Sequence, residues 1–546
     1  MQFNLADLFE YVADAVPVRE AAVCGPHRRT YAVLDEQSTR LAHVLADLGA
    51  GPGAHVALYM HNSIAHLEAM FACYKLRAVP INVNYRYVDD ELAYLLTDAD
   101  AIGIVHDADA RDRAGRVAPR CPDIRFVVDV DGPEFPVSLA AASAERDPGA
   151  RSGDDRYVLY TGGTTGMPKG VLWRHEDIFF GAMGGGNPGG PPIERPEDIV
   201  VSVLGNPAQR LKPFLPEGDA GPDQFVSLAL GPLMHASGQW SAIGTLLGGG
   251  KVVLYDRDHV DMEHVLDLVE RERVNAMNLV GDASARPLLE TLAAHPDGWD
   301  TSSLRLLGSG GSILSGDAKE ALMAAITSVL AIVEGIGSSE SPAQAVAVTT
   351  RSASAATPSR SLTFSAKAET IVVDDDLQPV PPGSGVVGRL ATRGRVPIGY
   401  YNDPERSART FVEIDGVRWS LPGDMATIDA DGTVHLLGRG SLCINTGGEK
   451  VYPEEVEAAL KGHPAVADAV VVGVPDPQFG QRVVAIVASA PGAPAPDLAS
   501  LQEHCRAHLA GYKVPRAAHT VDAIVRTATG KADYAWAREI ATAPAR

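Results

Sequence analysis

Tyr160-Thr161-Gly162-Gly163-Thr164-Thr165-Gly166-Met167-Pro168-Lys169-Gly170 is the stretch on which the reading of this chain turns. The run before it, Tyr157 to Tyr160, is short, apolar and β-prone, and reads as a buried strand feeding a loop. Within the loop, Gly162, Gly163 and Gly166 permit backbone angles that other residues resist. Without Cβ atoms in the way, their N–H groups can converge into an anion-binding nest. Thr161, Thr164 and Thr165 add hydroxyl donors, and Lys169 adds a full positive charge. Together these are the means to hold a polyphosphate. The motif is not a Walker A loop, where Gly-Lys is followed by Ser or Thr and opens a helix; here Lys169 lies between Pro168 and Gly170.

The stretch resembles the phosphate loop of the adenylate-forming superfamily: acyl-CoA synthetases, adenylation domains of peptide synthetases, and luciferases. Gly162 stands where that family usually has Ser, which removes one side-chain donor and no backbone donor. The resemblance runs through ordered motifs over about residues 5–535. The loop with Trp173-Arg174-His175-Glu176-Asp177, and Gly447 to Pro453, look most like actinobacterial acyl-CoA synthetases, some of which activate long-chain or steroid side-chain carboxylates.

Length and composition agree with this. A chain of 546 residues exceeds what one core supports, roughly 250–300 residues, so at least two domains are expected. With 45% hydrophobic and 21% charged residues, the composition is that of a soluble globular protein. Alternating strand and helix patterns indicate an α/β class. The resemblance implies a large N-terminal domain of packed α/β subdomains with mixed sheets (1–438) and a small mobile α+β C-terminal domain (439–546).

A net charge of −22 argues against a general nucleic-acid binder. It also means that any site for ATP or CoA is locally basic. The five cysteines are scattered and lack metal-ligand spacing, as expected of reduced thiols in a cytoplasmic protein. The first residues lack a basic n-region, so no signal peptide is expected, and no apolar run reaches the ~20 residues of a membrane span. The expected partners are small molecules, with homodimer formation left open.

Strands are expected at 55–60, 103–106, 125–130, 252–255, 275–280, 304–307, 369–373, 466–472, 482–489 and 521–525. Helices are expected at 64–76, 262–270 and 497–510. Residues Gly184 to about Gly231 have the composition of a loop or insertion.

The remaining candidates rest on the resemblance. Ala331 to Glu340 resembles the string in which an aromatic precedes Gly, any residue, Thr and Glu. Ile336 takes the aromatic position, Gly337 and Ser338 follow, and Ser339 replaces Thr. Glu340 is implied as a holder of Mg²⁺, with Thr165 also implied at the metal. Gly310 and Gly311, after an apolar strand, are implied beside the adenine and the acyl carboxylate. Asp424 matches the ribose clamp, with Pro422 in place of Thr, and Arg439 matches an arginine that meets the nucleotide.

His235 taken alone reads as a packed, hydrogen-bonded histidine; the resemblance places it at the acyl pocket. Ser441 takes the hinge position, usually Asp or Lys. Gly447 and Gly448, with Lys450, match the loop that passes the pantetheine arm of CoA. Lys531, in Thr529-Gly530-Lys531, matches the terminal catalytic lysine. The implied activity is ATP-dependent adenylation of a carboxylic acid, then acyl transfer to CoA, with Lys531 and Glu340 catalytic. Two other readings stay open: a ligase that loads a carrier protein, and a catalytically silent acyl- or nucleotide-binding protein.

Overall fold

The computed structural model describes the chain apart from residues 1, 148, 164–165, 186–192, 206–210, 313, 352–362, 447–448, 477–478, 510, 528–530 and 543–546. The side chains of 162, 163, 166, 167, 363, 439, 441, 445, 449, 450 and 480 also lie outside the description.

Three sheets organise the molecule. The first is 15-stranded. One part of it is parallel and carries Glu20–Cys24, Lys251–Leu254, Val226–Ala229, Ala276–Leu279 and Leu306–Gly310. It turns antiparallel after Ala331–Ser338, which pairs with Ser341–Thr350. The second sheet is seven-stranded. Its parallel strands His55–Tyr59, Val79–Asn82, Ala101–His106 and Phe126–Asp129 alternate with helices, as βαβ connection requires. The third sheet, five-stranded, is built from residues 444–521 and has apolar clusters of its own on its two faces. The fold is thus α/β, with a large N-terminal part and a smaller C-terminal part.

Local sequence explains the elements. Helix Leu5–Ala15 buries Leu5, Leu8, Phe9 and Val12 on one stripe, and Asn4 Oδ1 caps it by accepting from Ala6 N at 2.9 Å. Helix Pro453–Lys461 has proline at its first position, Glu454 and Glu455 in its first turn and Lys461 in its last. Among the described residues no helix is long and apolar enough to cross a membrane.

Four expectations need correction. Thr161 to Gly170 is not one loop: strands Arg156–Gly163 and Gly166–Arg174 continue through it as a hairpin. The expected strand at 304–307 is Leu306–Gly310, because parallel ladders on both sides carry the glycine string with them. The segment from 184 to 231 contains helix Ile199–Gly205, which buries Ile199 and Val203. The strand expected at 521–525 ends where it was to begin, at Val521. Beyond that point the chain leaves the sheet, and Val525 O accepts from Asp533 N at 3.0 Å instead.

Candidate active site

The glycine–threonine stretch is the tip of a two-stranded ribbon on the second sheet. Gly163 pairs with Gly166, and Thr161 pairs with Lys169. Close packing at its base demands glycine: a Cβ on Gly170 would lie 2.8 Å from Tyr160 Cε2 and 2.9 Å from Val158 Cγ1. Thr164 and Thr165 lie outside the described residues; of Gly162, Gly163 and Gly166 only the backbone is described.

A buried asparagine sets the angle of this ribbon. Asn82, at the end of strand Val79–Asn82, accepts from Tyr160 N at 2.7 Å and donates to Tyr160 O at 2.8 Å. It also donates to Met234 O at 2.6 Å. One side chain therefore ties the glycine–threonine hairpin to the segment carrying His235. That residue is the N-cap of helix Ala236–Leu247, and its own N donates to Pro232 O at 3.0 Å. Asn82→Ala is expected to lower unfolding stability by about 2–4 kcal/mol, because it leaves buried main-chain groups unpaired. Urea denaturation checks this.

Glu340 lies in the turn between strands Ala331–Ser338 and Ser341–Thr350, on the other large sheet. The turn is tight: a Cβ on Gly337 would lie 2.2 Å from Pro342 O. Ser338 Oγ accepts from Glu340 N at 3.3 Å. Trp173 Nε1 reaches across from the hairpin to donate to Ser339 O at 3.1 Å. Ser420 Oγ donates to Glu340 O at 3.0 Å.

The two sheets meet here in a charged cluster. Lys169 Nζ donates to Glu340 Oε1 at 2.8 Å and to Tyr400 OH at 2.7 Å. Tyr400 OH donates to the same Oε1 at 2.7 Å. Glu340 is buried, while the Lys169 side chain keeps 21% exposure. Burial, and then the Glu340 carboxylate, push the Tyr400 hydroxyl far above its ordinary pKa, so it remains a protonated donor. Tyr400 comes from strand Gly399–Tyr400, which pairs with the hairpin strand Gly166–Arg174. A cation and an anion thus neutralise each other at the seam, beside the glycine–threonine ribbon.

The other candidates fall into smaller groups. Gly310 pairs with Gly335, two residues before Gly337, and Gly311 follows at φ +79°. Ile336 is buried in an apolar cluster with Val372, Leu390, Ala426 and Val434. Asp424 is buried at the start of strand Asp424–Ile428, directly opposite Arg439. The side chain of Arg439 is not described. Ser441 lies in the short turn Gly440–Leu442 and Lys450 in strand Glu449–Val451, again without a described side chain. Gly447 and Gly448 lie outside the described residues. Lys531 is exposed, and its backbone oxygen accepts from Thr527 N at 2.7 Å. Sequence reasoning missed Asn82 and Tyr400. The one signal for the first was a polar residue ending an otherwise apolar strand.

Comparison with known proteins agrees with this layout. The AMP-binding enzyme family matches residues 9–401, and the AMP-binding enzyme C-terminal domain matches 455–531. A medium/long-chain-fatty-acid–CoA/3-oxocholest-4-en-26-oate–CoA ligase of Mycolicibacterium smegmatis is 42% identical over 555 residues, covering 99% of this chain and 97% of that protein. A 3-oxocholest-4-en-26-oate–CoA ligase of Rhodococcus rhodochrous is 41% identical, covering 99% and 96%. In fold, the chain is similar to the crystal structure of the anthranilate CoA ligase AuaEII in complex with anthranoyl-AMP. The TM-score is 0.82 at 23% identity, with 99% of this chain and 97% of that one covered. With matches of this extent on top of the hairpin and its charged seam, the chain belongs to the AMP-binding enzyme family, as an adenylate-forming acyl-CoA synthetase of the actinobacterial type.

Proposed function

We propose that this synthetase activates long-chain fatty acids or steroid side-chain acids. It uses ATP with Mg²⁺ and passes the acyl group to CoA in the cytoplasm. The observation that carries the reading is the Lys169–Tyr400–Glu340 cluster at the tip of the glycine–threonine ribbon. It places a cation for phosphate and a buried carboxylate side by side. The acyl class rests on the names of relatives similar along nearly the whole chain.

A carboxylate is a poor acyl donor because its oxide is a bad leaving group. In the proposed first step a carboxylate oxygen attacks the α-phosphorus of ATP, and the bond to pyrophosphate breaks. An acyl adenylate forms. The protein's task is to position groups and stabilise charge. Thr161 to Lys169 hold the β- and γ-phosphates, Gly310 and Gly311 with Ile336 to Ser339 lie beside the adenine, and Asp424 and Arg439 hold the ribose. Glu340 has the chemistry for Mg²⁺, which takes one or two carboxylates beside substrate phosphates. That ion, when bound, neutralises phosphate charge. Lys531 meets the negative charge growing between carboxylate and α-phosphate. In the second step the small domain (439–546), turning near Ser441, withdraws Lys531 and presents Gly447, Gly448 and Lys450. The CoA thiol then attacks the acyl carbon, AMP leaves, and His235 borders the thiol's path.

The test is a panel of short, long-chain, steroid side-chain and aryl acids, followed by CoA consumption and AMP release. Long-chain or steroid acids are expected to exceed the others at least about tenfold in kcat/KM, the scale on which apolar pockets discriminate. A preference for short or aryl acids would sink the acyl assignment. AMP release that needs a carrier protein and ignores CoA would favour the carrier-loading alternative.

A further inference from the structure

Lys531 opens the outgoing leg of a short paired segment (525–527 with 531–533), and carboxylates from elsewhere in the C-terminal part grip the incoming leg and the helix that follows the outgoing one. Thr527 N donates to Lys531 O at 2.7 Å, and Asp533 N donates to Val525 O at 3.0 Å. Between these rungs Arg526 and Ala532 form an isolated bridge. On the incoming leg, the Arg526 guanidinium donates to Asp468 Oδ2. Asp468 belongs to strand Val466–Asp476, and its other oxygen is 3.2 Å from Lys461 Nζ, at the end of helix Pro453–Lys461. Past the outgoing leg, where helix Tyr534–Thr542 begins, Tyr534 OH donates to Glu457 Oε1 at 3.1 Å, and the same oxygen accepts from Val471 N at 2.8 Å. Glu457 lies one turn before Lys461 on that helix.

The two grips differ in kind. Glu457 is buried and ties its helix to the sheet, so it serves the core. Asp468 and Arg526 keep side-chain exposures of 21% and 20%. Both are mostly buried, and Lys461, with 7% exposure, leans on the same carboxylate, so Asp468 also contributes to stability. The pair adds direction as well. Arg526 adjoins the rung that carries Lys531, so the Asp468 carboxylate fixes the azimuth of the hairpin against the strand behind it. Lys461 holds that carboxylate from the other side.

The geometry points to Asp468 as a positioning residue for Lys531, acting through Arg526 and on the adenylation half-reaction alone. This rests on the reading of Lys531 given above. A catalytic group displaced by about 1 Å can cost up to about a hundredfold in rate, whereas thioester formation uses no lysine from this hairpin.

The experiment uses the full-length enzyme. Asp468→Asn is expected to lower kcat for acid-dependent ATP–pyrophosphate exchange about tenfold, with KM for ATP and acid unchanged. Thioester formation from supplied acyl-AMP and CoA stays at the wild-type rate even as the thermal midpoint falls, because Asp468→Asn strands the buried Lys461 ammonium. Arg526→Met gives the same loss, the double variant loses no more than either single one because both remove one contact, and Arg526→Lys retains most of the rate. Wild-type exchange in Asp468→Asn, while Lys531→Ala has lost it, overturns the proposal. So do equal losses in both half-reactions. Normal exchange in Lys531→Ala would instead overturn the reading of Lys531 on which the inference stands.

Discussion

Lys531→Ala is expected to cut acid-dependent pyrophosphate exchange by about 10²–10³-fold, the usual cost of removing one preorganised donor from a developing charge. Thioester formation from supplied acyl-AMP and CoA should continue at nearly the wild-type rate, because the charge this lysine meets exists only while the α-phosphate is under attack. Since Lys531 is exposed, the thermal midpoint should change little. The split between half-reactions is the decisive measurement. Equal losses in both would mean that Lys531 serves the fold or the acyl site rather than adenylation.

The second large effect belongs to Glu340. Glu340→Gln keeps an oxygen that can accept from Lys169 and Tyr400 but removes the negative charge. Adenylation should fall about a hundredfold, or about 2.7 kcal/mol of transition-state stabilisation. The fold should survive, because the Lys169 side chain left without its counter-ion is 21% exposed and can turn to water. That is unlike the penalty for stranding a fully buried charge. Pyrophosphate exchange measured across a magnesium titration, with a thermal melt as control, checks the prediction. Full activity in the variant would remove Glu340 from the phosphate site.

Much of this site was legible as a string, and the rest was illegible for a physical reason. The glycines and Lys169 of the candidate site stand out because neighbours in sequence cooperate there, and helices such as Ile64–Lys75 and Met262–Glu272 follow from apolar spacing. Tyr400 does not, since its partner Lys169 is 231 positions away and nothing in Gly399-Tyr400-Tyr401 singles out which hydroxyl will be enclosed. Asn82 is similar: its bonds to Tyr160 span 78 positions, and its bond to Met234 spans 152. Hydroxyl and amide side chains acquire such duties only when tertiary structure brings backbone groups to them. The same limit explains the misplaced strand at 521–525. Val521 and Ile524 are apolar for the sake of a packed cluster, and composition alone cannot separate that need from membership of a ladder.

The seam at Glu340 has one more implication. The contacts of Lys169, Tyr400 and Trp173 that hold the two large sheets together there are made by, or next to, residues proposed to handle substrate. On that proposal, adhesion between the two sheets and catalysis draw on the same atoms. A variant selected for heat resistance by tightening this junction would then be selected, in the same stroke, for slower turnover. Thermostabilising effort is better spent away from this seam, for example on the buried salt-bridge cluster around Lys75 and Arg151, which contains none of the candidate site residues.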